Sequence, residues 1–121
     1  MRIDFHSHIL PGMDDGAADI KESLAMLKML SEAKVDKVVL TPHFYRQNER
    51  IGSFLKRREA AFEKLSEAAA EVGGCPEMIL GAEVYFYPSL SSDPDFHKLC
   101  IENTGYILLE LPFEQFHDNF Y

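Results

Sequence analysis

Residues 1–43 read MRIDFHSHILPGMDDGAADIKESLAMLKMLSEAKVDKVVLTPH. Within Met1–His6 the apolar Ile3 and Phe5 alternate with polar neighbours, the period of a strand. The stretch PGMDDGA at 11–17 is rich in turn residues, and Asp19 to Ala33 then reads as a helix. Asp19 is placed to cap it, Glu22 sits three residues on in capping-box position, and Ile20, Leu24, Leu27 and Leu30 keep helical spacing. Lys37–Thr41 is a short β-branched run, the pattern of a buried strand, and it stops at Pro42. Strand, helix and strand in succession make a parallel crossover unit.

The alternation continues outward from that unit. A polar loop over 43–52 leads to a helix from about Ser53 to Val72, with Phe54, Leu55, Ala61, Phe62, Leu65, Ala68 and Val72 as its apolar stripe and Gly73-Gly74 as its end. Met78–Val84 reads as a third strand, Asp93-Pro94 as the opening of a short third helix, and Tyr106–Leu111 as a fourth strand. Pro112–Tyr121 is rich in Phe and shows no clear element. The expected fold class is α/β, with about four parallel strands and crossover helices in a single domain over 1–121. A closed (β/α) barrel takes about 250 residues. The chain is therefore expected to be a small open sheet or half of a barrel.

Composition narrows the function. With 46% hydrophobic and 26% charged residues, the 121-residue chain is ordinary for a globular protein, which excludes disorder and a disulfide-dense scaffold. A net charge of -8 repels phosphate backbones, so neither nucleic-acid nor anionic-membrane binding is expected. Locally, bound cations would reverse that repulsion. There is no apolar run long enough for membrane insertion and no signal-peptide core near the start, so the expected location is cytoplasmic. Cys75 and Cys100 match neither a CxxC pair nor a zinc knuckle and read as buried thiols in a reduced compartment.

The residues suited to chemistry stand where strands end. His6-Ser7-His8 follows the first strand, and in extended chain residues i and i+2 project to one face, so the two imidazoles can converge on one ion. Asp14-Asp15-Gly16 lies in the next loop, His43 ends the second strand, Glu83 the third and Glu110 the fourth. Parallel α/β folds bind ligands at the carboxyl ends of their strands. Imidazoles mixed with carboxylates suit Zn2+, Mn2+ or Fe. Each residue also has a plainer reading: Asp15 as a turn residue before Gly16, His43 in a loop, Glu83 at the surface. Glu110 lies inside the apolar run ILLELP, where a carboxylate requires a partner or a metal. His97 reads as solvent-facing; His117 and Asp118 in the tail are possible substitute ligands.

The strings DFHSHILPGMDDGAADIKESLAML, VVLTPHF, GAEVY and ILLELP resemble the polymerase-and-histidinol-phosphatase (PHP) superfamily. More narrowly, they are similar to the manganese-dependent protein-tyrosine phosphatases encoded with bacterial capsule and exopolysaccharide genes. The resemblance runs from Met1 to about Pro112 and implies a distorted seven-stranded (β/α) barrel with a trinuclear metal centre. Position by position, it implies that His6 and His8 hold one metal, Asp15 and His43 another, that Glu83 bridges, and that Glu110 is a further ligand. Glu83, Asp15 and His43 are the implied catalytic set. The family's remaining ligands, a His and a DxH pair, and its phosphate-gripping arginines come from the second half of the barrel, which has no counterpart among these residues. The expected fold is therefore the first half of such a barrel, with fewer than three ions, Mn2+ or else Zn2+ or Fe.

The implied reaction is hydrolysis of phosphotyrosine on a protein of polysaccharide synthesis, a bacterial tyrosine kinase being the expected partner. Metals would neutralise the phosphate oxygens and supply hydroxide for in-line attack on phosphorus. A cysteine mechanism is excluded, because the sixth residue after Cys75 is Gly81 and after Cys100 is Tyr106, so no Cys-x5-Arg loop exists. Two alternatives stand beside this reading: a partial chain that only binds metal or a partner, and a small-molecule phosphoesterase such as a histidinol phosphatase. Apolar surface left open on a half barrel is expected to make the chain a homo-oligomer.

Overall fold

Asp19 starts the first helix as its chemistry requires. In a computed structural model, which describes residues 1–111, its carboxylate accepts the Glu22 amide at 2.9 Å, and the Glu22 carboxylate reaches back to the Ala18 amide at 2.9 Å. The elements run β1 (Ile3–Asp4), α1 (Ile20–Glu32), β2 (Lys37–Leu40), β3 (His43–Phe44), α2 (Ile51–Val72), β4 (Glu77–Leu80), β5 (Glu83–Tyr85) and β6 (Leu108–Glu110). Two short 3-10 turns, Leu90–Ser92 and Phe96–Leu99, lie between β5 and β6.

All strand pairs are parallel and form two three-stranded sheets, β1-β2-β4 and β3-β5-β6. The fold is thus mixed α/β with crossover helices, consistent with an open part of a PHP-type barrel. The second expected strand, Lys37–Thr41, ends at Leu40 and the chain resumes as a strand at His43, while the third, Met78–Val84, is broken within its length. Thr41-Pro42 separates β2 from β3, and Gly81-Ala82 separates β4 from β5, so the first part of each run pairs in one sheet and the second part in the other. His43, expected to begin a loop, instead opens β3.

The breaks have local causes. Pro42 has no N–H to donate to a ladder. At Gly81 a Cβ would lie 3.2 Å from Val39 Cγ1 and 3.3 Å from Ile101 Cγ1, so the close packing favours glycine. Hydrogen bonds carry the pairing across the breaks, from the Gly81 amide to the Leu40 carbonyl and from the Glu83 amide to the Pro42 carbonyl, each 2.9 Å. The Gly81 carbonyl accepts Arg58 Nη1 at 2.7 Å, and that guanidinium lies 5.6 Å from the centre of the Phe54 ring.

The core joins both helices to the sheets through Leu27, Val38, Leu40, Phe44, Phe54, Leu65 and Val84, all fully buried. The apolar stripe of α2 ends on Ala69; Val72 is 64% exposed, and the helix stops at Gly73 with φ of 74°. The expected third helix is replaced by the two 3-10 turns. Asp93 closes the first of these and accepts the Asp95 amide at 2.9 Å, so its side chain competes with helical bonding instead of starting a helix. Both cysteines are free, Cys100 buried and Cys75 half-buried. Among the described residues β1 and β6 are outer strands, flanked by the exposed Phe5, Leu109 and Leu111, and no helix is long and apolar enough to cross a membrane.

Because Asp19 holds an amide of the first helical turn, which has no partner within the helix, Asp19→Ala is expected to destabilise the fold by about 1 kcal/mol, read as a lower urea midpoint at unchanged slope.

Candidate metal centre

The site begins with a joint between two motifs. Ser7, between the two histidines, is buried and turned away from them; its amide donates to Thr41 Oγ1 at 3.0 Å and its hydroxyl to the Val39 carbonyl at 2.8 Å. Thr41 answers with its amide and its hydroxyl, both donating to the Ser7 carbonyl at 2.9 and 3.1 Å. These bonds fix HSH against TPH beyond the ends of β1 and β2. Sequence reasoning passed over both hydroxyl residues, although a small polar residue inside each motif was the available signal.

With Ser7 turned inward, His6 and His8 converge. His6 Nε2 lies 2.6 Å and His8 Nε2 3.0 Å from the same Glu83 oxygen, Oε1, and the two nitrogens are 3.1 Å apart. The other Glu83 oxygen faces His43 Nδ1 at 3.7 Å, and that nitrogen is 3.4 Å from Glu110 Oε1. The parallel register supplies this arrangement, pairing His43 with Glu83 and Tyr85 with Glu110. The His8 and His43 rings stack at 4.4 Å, and Tyr45 stacks on His43 at 5.4 Å.

The donor set fits a divalent cation. A neutral imidazole nitrogen and a carboxylate both present lone pairs, so the Glu83 neighbourhood is crowded with acceptors. His43 Nδ1 and Glu110 Oε1 are buried and make no hydrogen bond among the described residues. Leaving such a group unpaired costs about 1–3 kcal/mol, and a cation would satisfy both. The site is also negative. Burial raises the pKa of the Tyr45 hydroxyl, and the charges of Glu110, Glu83, Asp15 and Asp14 raise it further. Nitrogen with carboxylate oxygen suits Mn2+, Fe or Zn2+ better than Mg2+ or Ca2+.

Three sets have ligand atoms close enough to share an ion: His6, His8 and Glu83; His43, Glu83 and Glu110; and His8, Asp14 and His43. Five of the six residues singled out by sequence as metal ligands thus lie together. The sixth, Asp15, has a side chain 90% exposed with its Oδ1 3.9 Å from His43 Nε2, outside the three sets. Its neighbour Asp14, passed over by the sequence reading, is only 8% exposed; it accepts the His43 amide at 3.0 Å and the Gly16 amide at 2.9 Å, and its Oδ2 lies 3.0 Å from His8 Nδ1. The signal for it was the Asp-x-Gly spacing of an Asx turn over 14–16. His97 is exposed in a 3-10 turn, whereas His117 and Asp118 lie outside the described residues.

Gly16 is required by close approach. A Cβ there would stand 2.2 Å from the His8 carbonyl oxygen and 2.5 Å from His8 Cβ. Gly16→Ala is therefore expected to push the loop off His8 and weaken divalent-cation binding by 10-fold or more, on the order of the loss when a ligand's support is removed; titration calorimetry against the parent chain checks this. Asp14 gives a pH dependence. Burial alone would raise its pKa, but the amides of His43 and Gly16 and the His8 ring outweigh it and hold the carboxyl below the ordinary 3.8. A depressed folded-state pKa contributes stability that is present above the unfolded value and lost as pH falls through the folded one. Acid unfolding of Asp14→Asn is accordingly expected to depend less on pH below about 4 than that of the parent.

The comparisons with known proteins agree with this geometry. A family model described as "Capsular polysaccharide synthesis, CpsB/CapC" matches residues 2–119. Tyrosine-protein phosphatase YwqE of Bacillus subtilis (strain 168) is 32% identical over 116 residues, which are 93% of this chain and 44% of that protein. CapC of Staphylococcus aureus is 42% identical over 41 residues, 34% of this chain and 16% of that one. A solved structure from work on YwqE of Bacillus subtilis and CpsB of Streptococcus pneumoniae, titled as unique metal-dependent tyrosine phosphatases, is similar at a TM-score of 0.75 and 26% identity, covering 96% of this chain and 50% of that one. The chain thus spans 44% of YwqE and half of the solved chain. It belongs to the CpsB/CapC family of capsular polysaccharide synthesis, within the PHP superfamily.

Proposed function

We propose that this chain carries the first part of a metal-dependent phosphatase site that hydrolyses phosphotyrosine on a protein of capsular or exopolysaccharide synthesis. The observation that carries this reading is Glu83, whose one oxygen faces His6 and His8 while the other faces His43 beside Glu110. In this reading His6, His8 and Glu83 hold one cation, and His43, Glu83 and Glu110 a second. Asp15 adds its exposed carboxylate beside His43 Nε2. A neutral His43 has one lone pair to give, so it serves the Glu110 side through Nδ1 or the Asp15 side through Nε2, not both. Divalent cations held there would neutralise phosphate oxygens and make a bound water more acidic.

The residues themselves position and orient. Glu83 bridges the two groups, and Glu83, Asp15 and His43 are the residues assigned to the reacting centre. Tyr45, stacked on His43, lies 5.5 Å from Tyr85, which gives the site an aromatic flank suited to an aryl ester. That flank, with the names of the relatives, supports the aryl ester phosphotyrosine over a small alkyl phosphate such as histidinol phosphate. The reading further comprises Mn2+ as the metal, a bacterial tyrosine kinase of polysaccharide synthesis as partner, a cytoplasmic location for this chain, a single partial domain over 1–121, no nucleic-acid partner, and self-association through the open half-barrel surface.

Two observations favour a second reading, a chain that binds metal or a partner without turnover: it covers 44% of YwqE, and each of the two cation groups has three ligands among the described residues. Hydrolysis of a phosphotyrosine peptide by the purified chain, with added Mn2+ and a chelator control, separates the two. The expected outcome is metal-dependent release of phosphate, reduced at least 100-fold in His6→Ala and Glu83→Ala, on the order of removing a catalytic ligand. Mn2+ binding without release would select the second reading.

A further inference from the structure

We infer that Asp14 is a positioning residue: it holds His8 with Nδ1 protonated, so that the Nε2 lone pair faces Glu83 and His6, and it fixes the start of β3 by the same carboxylate. The inference rests on the metal-site reading above but concerns the chain alone.

The Asp14 carboxylate is almost wholly used by donors of this chain. Its Oδ2 takes the His43 amide at 3.0 Å and lies 3.0 Å from His8 Nδ1, and its Oδ1 takes the Gly16 amide at 2.9 Å. A neutral His8 has one N–H and one lone pair. Both ring nitrogens face a carboxylate oxygen at 3.0 Å, Nδ1 that of Asp14 and Nε2 that of Glu83. His6 Nε2, however, lies closer to the same Glu83 oxygen, at 2.6 Å, and an N–H there leaves no room for a second on His8 Nε2 only 3.1 Å away, so Nδ1 carries the hydrogen and donates it. Nε2 then carries the lone pair, and it lies 3.0 Å from Glu83 Oε1 and 3.1 Å from His6 Nε2. A carboxylate behind a ligating imidazole fixes its tautomer and ring orientation in this way.

The same geometry argues against Asp14 as a ligand. An ion shared by His8 Nδ1, Asp14 and His43 would need the His8 lone pair on Nδ1, which would leave N–H at Nε2 and withdraw His8 from Glu83. The sets His6, His8, Glu83 and His8, Asp14, His43 therefore compete for one imidazole. Gly16 and Ala17 make the Asp14 arrangement possible. The loop lies against His8 where no Cβ intervenes, and the Ala17 amide donates to the His8 carbonyl at 3.0 Å. Asp14 thus ties together the segments bearing His8, Asp15 and His43.

The test reads the tautomer directly. In the metal-free, histidine-15N-labelled chain, at a pH where imidazoles are neutral, long-range 1H–15N spectra are expected to show His8 in the Nδ1–H form, with the resonance assigned by its loss in His8→Asn. Asp14→Ala is expected to move His8 toward the Nε2–H form and to weaken Zn2+ binding, measured by calorimetry, by about 10–100-fold at unchanged stoichiometry. Asp14→Asn, whose carboxamide oxygen still accepts, is expected to restore part of both. An Nε2–H tautomer in the parent chain would overturn the inference, and that result needs no variant to fold. So would the loss of one bound ion per chain in Asp14→Ala, which would make Asp14 a ligand. The tautomer is read without metal or substrate, so it can fail while the phosphatase reading stands, and the reverse.

Discussion

Four hydrogen bonds linking Ser7 to Thr41 and Val39 carry the rest of the site. Beyond Leu40 the first sheet has no further ladder to offer, because Pro42 cannot donate and the chain must pass into the second sheet. The Ser7 and Thr41 amides are both satisfied inside this joint, so the strand end is buried without stranded polar groups. Turning Ser7 inward necessarily turns His6 and His8 to the opposite face. The convergence of two imidazoles on Glu83 is thus a consequence of a buried serine and a buried threonine.

What lies on that face is locally unfavourable. Acceptors crowd together, two of them buried without partners among the described residues, while burial and then the acidic side chains raise the pKa of the neighbouring tyrosine. Folds concentrate such violations at functional sites and compensate elsewhere. Here the compensation is visible in the surroundings: a fully buried core of Val38, Leu40, Phe44 and Val84 beneath the site, and Arg58 holding the carbonyl freed at Gly81.

The helices and the parallel order were legible because they rest on local rules. The Asp19 cap and the stripe through Leu27, Phe54 and Leu65 need only spacing and side-chain type. The strand breaks were not legible, because Gly81 is favoured by Val39 and Ile101, residues distant in sequence, and Pro42 could equally have ended a strand outright. The third helix failed since Asp93 prefers to bond its own neighbourhood. In the site, five candidate ligands stood at strand ends and could be read from periodicity. Asp14 and Asp15 could not be told apart by spacing; burial separates them, and burial at a loop depends on where Gly16 lets the chain approach His8.

The position of the ligands relative to the sheet edges adds a further constraint. His6 and His8 follow β1, and Glu110 ends β6, each an outer strand of its sheet, while His43 opens β3, the other outer strand of the second sheet among the described residues. The shared ligand Glu83 begins β5, paired on both sides. The site is therefore most firmly held at its middle and least enclosed at its margins, where Phe5, Leu109 and Leu111 are exposed. Covering β1 and β6 there would bury that apolar area next to the strand ends that carry His6, His8 and Glu110.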